Sequence, residues 1–221
     1  MQVILSVNDR RPVQKGIREL ESRLGRVITY EDPPFTDPSE IADVAPEVRR
    51  SGDARQPVLV PKGGKFDVTV DVEPDEPASL KKAIEEVLAA SARTGNSGVF
   101  RVEQAGDVFH VIPTPVRDRD AAPLLDTHFD TDGEERSALE WIDEIVKLVG
   151  RARGVTVSLG TAPVNLLDQH RARLSSKNET ARSVLRRLLG ELKEKVSWDL
   201  LYDPGQREYV LNLHVVPARA D

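Results

Sequence analysis

The sequence predicts an α+β fold built from two tandem βαβ-βαββ units, with helices packed on small mixed sheets. Three observations carry that expectation. Apolar residues switch repeatedly between a spacing of two and a spacing near 3.6 along the chain. The order of these segments in the first half recurs in the second. The halves also end on matching strands, Phe109-His110-Val111-Ile112-Pro113 and Leu213-His214-Val215-Val216-Pro217.

Taken in order, residues 3–8 (VILSVN) form a short strand-like run. Pro12 then stands at a helix start, Val13, Ile17, Leu20 and Leu24 follow at helical spacing, and Gly25 stops the helix. Residues 27–30 read as a strand that ends at the breaker Asp32-Pro33-Pro34. Between 35 and 64 the pattern is lost, interrupted by Pro38, Pro46, Pro57 and Pro61; one short helical turn and a strand at 58–60 are expected there. Phe66, Val68, Val70 and Val72 then alternate with polar residues, as on a half-buried strand. Pro77 opens a helix with Leu80, Ala83, Ile84, Val87, Leu88 and Ser91 on one face, and Gly95 with Asn96 closes it. Strands at 99–103 and 107–112 flank Gln104-Ala105-Gly106 as a hairpin.

Residues 114–122 are polar and read as a linker, after which the order repeats. A strand is expected at 124–129, then a helix capped by Asp132 with Ala138, Trp141, Ile142, Ile145, Leu148 and Val149 on its apolar side. A strand at 155–159 closes at Gly160 and Pro163, and another is expected at 171–175. Ser176 and Glu179 have the spacing of a capping box for a helix with the stripe Ala181, Val184, Leu185, Leu188 and Leu192. A last hairpin, 197–202 and 207–216, turns at Asp203-Pro204-Gly205-Gln206. Pro34 corresponds to Pro163, and the extra 25 residues between Pro34 and Pro113 mark the first copy's excursion as an insertion. The expected division is 1–113 with an insertion at 35–64, a linker at 114–122, and 123–217.

With that order in view, each half resembles the secretin and TonB short N-terminal domain. An amphipathic first helix leads to a strand with a YDP-like ending, here Tyr30-Glu31-Asp32-Pro33. An alternating strand then feeds a helix with an ALxxLL-like stripe, here Ala83, Val87 and Leu88 in one copy and Ala181 to Leu189 in the other, and a hairpin closes the unit. The second copy carries Gly160-Thr161-Ala162-Pro163 in place of the YDP-like ending. The chain is also similar to uncharacterised exported bacterial proteins with the same C-terminal hairpin. The resemblance implies a periplasmic fold in which helices lie between small sheets, used to dock other proteins and relay signals without catalysis.

The composition bounds the rest. Of 221 residues 39% are hydrophobic and 31% charged, which suits a globular chain with a core, and no apolar stretch nears the ~18 residues of a membrane span. Cysteine is absent, removing disulfides and thiolate chemistry. The strand-like run directly after Met1 has no signal-peptide character, so either cytoplasmic residence or a leader removed ahead of Gln2 is expected; the resemblance favours the periplasmic or exported alternative. The net charge of -6 conceals a basic segment from Lys147 to Arg187 with nine basic and two acidic residues.

His110 and His214 occupy corresponding places and read as structural histidines of the repeat. Asp126, His128, Asp130 and Asp132 fail the spacing of a calcium loop; Asp130 and Asp132 suit a helix start better. Glu140, Asp143 and Glu144 fit the wet face of a helix, Lys62-Gly63-Gly64-Lys65 lacks the phosphate-loop pattern, and Asn178-Glu179-Thr180 reads as a helix's first turn. No catalytic, cofactor or metal set is assigned. Trp198, Tyr202 and Tyr209 on the last hairpin read first as core filling and otherwise as an exposed edge that adds a strand to a partner; with Arg182, Arg186 and Arg187 in the basic segment they are the possible partner-binding residues. The expected function is a non-catalytic protein-protein interaction or signalling module of the bacterial cell envelope. The alternative is a nucleic-acid or polyanion binder using Lys147 to Arg187.

Overall fold

The structure is a computed structural model that describes residues 1–35, 37–45, 57–95, 98–114 and 122–219. The first half contains β1 (Gln2–Asp9), α1 (Pro12–Leu24), β2 (Ile28–Glu31), β3 (Ile41–Asp43), β4 (Leu59–Pro61), β5 (Gly64–Asp71), α2 (Pro77–Arg93), β6 (Phe100–Ala105) and β7 (Val108–Pro113). The second contains β8 (His128–Ser137), α3 (Ala138–Arg153), β9 (Thr156–Leu159), α4 (Val164–Gln169), β10 (Arg171–Thr180), α5 (Ala181–Gly190), β11 (Val196–Asp203) and β12 (Glu208–Val215). Single 3-10 turns occupy Pro38–Glu40 and Leu124–Asp126. The fold is α+β. Most of the 114–122 stretch and part of the 35–64 insertion lie outside the described residues.

Each half repeats one topology. β1 pairs antiparallel with β5 as β8 does with β10; β6 pairs antiparallel with β7 as β11 does with β12; β2 runs parallel to β7 as β9 does to β12. The equivalent helices α1 and α3 both end on a glycine in the left-handed region, Gly25 at φ 61° and Gly154 at φ 64°, a conformation that strains other residues. In each half the helices are covered on one side by the two-stranded sheet and on the other by the three-stranded one.

Several boundaries differ from the sequence reading, all for one reason: β8 and β10 pair with each other for ten residues each and carry the chain straight into their helices. The expected strand at 124–129 is a 3-10 turn followed by β8. Asp132 does not cap α3 but sits inside β8, accepting from Glu134 N–H and Arg136; Ser137 is the cap, in a reciprocal box with Glu140. Asp130 likewise accepts from Asn178 N–H across the ladder. Ser176 lies in β10, and Thr180 caps α5 through Ser183 N–H. The triplet at Asn178 is therefore strand, not a first helical turn. The short helix α4 and strand β3 lie where the sequence reading expected loop.

The two halves share one sheet. Its order is β6-β7-β2-β11-β12-β9, and the join is a parallel pairing of β2 with β11 that sets Asp199 beside Tyr30 and Leu200 beside Glu31. The registers sort the side chains by face. Ile28, Tyr30, Phe109 and Val111 face the first half's helices, with Val3, Leu5, Ile17, Leu20, Leu80 and Ile84 in the same core. Trp198, Leu200, Tyr202, Leu211 and Leu213 lie on the opposite face with Trp141, Ile145, Val184 and Leu188. Because strand direction and covered face both reverse from one half to the other, the halves are related by a half turn about an axis across the strands, with a shift along it. The cores also trade residues: Phe35, from the start of the insertion, is buried in the second core, while Leu201 packs on the first.

A shared sheet predicts joint unfolding. Trp141 and Trp198, the only tryptophans, lie in the second half, so fluorescence reports that half and far-ultraviolet circular dichroism reports both. Urea transitions followed by the two signals are expected to coincide; an earlier dichroism transition would show that the first half unfolds alone.

Candidate functional site

The densest polar chemistry lies at the β2·β11 join. Four carboxylates there, Glu21, Glu31, Asp32 and Asp199, are each only 1% exposed. Burying a charge this deeply is costly unless it is paired and hydrogen-bonded, and here every one is met from the other half. Asp32 Oδ2 accepts from Tyr202 N–H at 2.9 Å and from Arg11 Nε at 2.7 Å, and Oδ1 accepts from Tyr30 Oη at 2.7 Å. Arg11 in turn donates to Tyr202 C=O at 2.7 Å. Glu31 takes Arg182 Nη2 at 2.6 Å and Leu124 N–H at 2.5 Å, while Arg182 Nε reaches Asp126 at 2.9 Å. Asp199 accepts from Arg18 Nε and Gln14 Nε2, both at 2.8 Å. Glu21 Oε1 accepts from Ile28 N–H at 2.9 Å, and Oε2 lies 2.5 Å from His214 Nε2.

Burial pushes Glu31, Asp32 and Asp199 above the usual carboxylate range, against the opposing pull of Arg182, Arg11 and Arg18 respectively. Their ionised forms therefore depend on those cations. His110 shows the converse case. Its ring is buried, packs 5.5 Å from Trp198, and bonds through Nδ1 to Thr29 Oγ1 at 2.7 Å. Burial, helped by the charges of Arg182 and Arg186, lowers it to about 3.

The residues marked in the sequence for partner contact separate into three groups. Trp198, Tyr202 and Tyr209 fill the second core, as their alternation suggested, on strands paired along both sides, so the last hairpin is not an exposed edge. Tyr202 and Tyr209 pack against each other at 4.9 Å. Arg182 is also buried and serves the join. Arg187 pairs with Glu179 at 2.8 Å on the surface. Arg186 and Trp198 both line a cavity of about 140 Å³ between the halves, together with Val27, Val108 and Leu189.

Much of the basic segment is ion-paired, partly with near neighbours in sequence and partly with distant residues. Lys147 pairs with Asp143, Arg151 with Glu144, Arg171 with Glu140 and Arg173 with Glu135. With Arg182 and Arg187 also engaged, six of its nine basic residues are ion-paired. His128 bonds through Nδ1 to Asn178 C=O. The sequence reading missed Glu21, Glu31, Asp32, Asp199 and Arg11 as interface residues; only Asp199, a charge inside a strand-like segment, carried a signal of it.

The sheet's outer strands are the other feature a partner could use. Among the described residues β6 pairs only with β7, and β9 only with β12. Glu103 and Gln104 on β6 and Thr156 on β9 are exposed. No helix of the described residues is long and apolar enough to cross a membrane. No family model matches the chain, and neither a curated protein nor a solved structure matches it.

Two outcomes follow from the electrostatics. Arg182→Met leaves Glu31 buried without its cation and is expected to cost about 3–5 kcal/mol in urea unfolding. Adding Glu31→Gln should recover part of that loss; additive costs would mean the pair is not coupled. For His110, the unfolded chain takes up a proton as pH falls below 6.5 while the folded chain resists until about 3, so folding stability is lost over that window. Between pH 6.5 and about pH 5 the native protein should lose about 2 kcal/mol relative to His110→Asn. Parallel pH profiles of the two proteins would contradict the buried neutral imidazole.

Proposed function

We propose that this chain is a non-catalytic protein-interaction module of the bacterial cell envelope, working in the periplasm and docking protein partners along the open edges of its central sheet. The observation that carries the reading is the contrast between the join and the edges. The inner strands are paired on both sides, and the join satisfies its buried charges internally, whereas among the described residues β6 and β9 each keep one free side. A strand with a free side offers main-chain donors and acceptors to an extended segment of another protein, with specificity supplied by neighbouring side chains. The layered arrangement, helices between small sheets repeated twice, also agrees with the docking role that the resemblance to the secretin and TonB short domains implies. Ion pairing of six of the nine basic residues between Lys147 and Arg187 favours this reading over a polyanion-binding surface.

The test is a photo-crosslinking amino acid placed at Glu103 on β6, at Thr156 on β9, and at Lys82 on the outward face of α2 as control. In cells, crosslinks to a defined protein are expected from Glu103 or Thr156 and not from Lys82. No adduct from either edge, or equal adducts from Lys82, would overturn the proposal.

A further inference from the structure

We infer that a second copy of this chain docks its β6 alongside β9, continuing the six-stranded sheet head to tail; this rests on the edge-docking reading and names the partner. The chain already contains one such joint. β11 lies parallel to β2 at the join, and the repeat makes β6 the counterpart of β11 and β9 the counterpart of β2. The edges left over at the two ends of the sheet are therefore the two halves of a joint that the chain forms internally. The half turn relating the units, applied once more, brings the next copy's β6 parallel to β9, as β11 is to β2.

The hydrogen-bonding phase agrees. At the join, Leu200 C=O accepts from Asp32 N–H at 2.8 Å and Tyr202 N–H meets the Asp32 carboxylate, so alternate residues of β11 address β2. On β6, the bond from Thr114 N–H to Val99 C=O fixes the alternation of the β6·β7 ladder. It turns the main-chain groups of Phe100, Val102 and Gln104 away from β7. Pro113, which has no N–H to give, sits opposite Phe100 at one of these unbonded pairs. On β9, Gly160 N–H donates inward to Leu211 C=O, which turns the main-chain groups of Val157 and Leu159 away from β12. The helices do not obstruct the approach, because those of the second half cover one face of the sheet and those of an incoming first half cover the other, as they do at the join.

The outer joint lacks the internal locks. By the correspondence of Pro34 with Pro163, Gly160 and Thr161 stand where the join has Glu31 and Asp32. Without buried carboxylates to engage, the association is weak and reversible. Because the contact joins two different surfaces, it does not close on itself, and growth is open rather than limited to a dimer.

Sedimentation of the full chain tests this. Between roughly 10 μM and roughly 1 mM, where weak complexes become populated, the weight-average mass is expected to rise at least about twofold without levelling at the dimer. Gln104→Pro removes an outward N–H from β6 without touching the β6·β7 ladder. With its dichroism spectrum unchanged, this variant should remain monomeric alone, and it should shorten assemblies when mixed with the native chain, because its β9 is intact. A monomer at every concentration, a plateau at the dimer, or unaltered association by a folded Gln104→Pro would overturn the inference. A monomeric native chain that still crosslinks to another protein through Glu103 or Thr156 would do so while leaving the interaction-module reading in place.

Discussion

Everything in this structure depends on the parallel contact between β2 and β11 and on the buried charges that hold it. The pairing itself is brief, with Tyr30 beside Asp199 and Glu31 beside Leu200. Two register positions contribute few main-chain bonds, and each is worth about 1 kcal/mol net. The side chains supply the rest. Asp32 substitutes for a missing ladder acceptor by taking Tyr202 N–H, and Glu21 does the same for Ile28 N–H. Glu31 and Asp199 carry the contact outward to Arg182 on α5 and Arg18 on α1. Each unit therefore grips the other through a helix as well as through a strand.

Buried ion pairs are uncertain contributors to stability, since desolvation offsets much of the attraction. Their effect here is better read as specificity. Sliding β11 by one residue would leave Asp32 without Tyr202 N–H and place Asp199 among the apolar residues of the second core, while moving Leu200 out of it. Such a shift strands several charges at once, so one register is strongly favoured. The exchange of Phe35 into the second core and Leu201 onto the first adds an apolar clasp around the same contact. Among the described residues the outer edges have neither device.

The α+β class and the duplicated order were legible because they rest on local signals: alternation in β5, helical stripes in α2 and α5, and the glycine stop at Gly25. The boundaries around β8 and β10 were less so. Asp132 and Ser176 have good capping chemistry, but they lie within paired strands, and the long-range ladder outweighs a local side-chain bond. The join was the least legible feature. Glu31 and Asp32 follow a strand and precede two prolines, a context that reads as a surface turn. Only the arrival of Arg182 and Tyr202, more than 140 positions later, makes burial tolerable there. The aromatic residues of the last hairpin were legible as core filling from their alternation; that β2 and β9 flank the hairpin was not, because those pairings are long-range.

The most direct measurement of this account is native-state hydrogen exchange at the amides of Asp32 and Tyr202, which bond across the join. If the join is the constraint that unites the halves, both amides should exchange only through global unfolding, with the same opening free energy as Val111 and Leu213 in the central strands. Exchange at Asp32 and Tyr202 through a lower-energy opening, while Val111 and Leu213 stay protected, would show that the halves part without unfolding and would contradict the central claim.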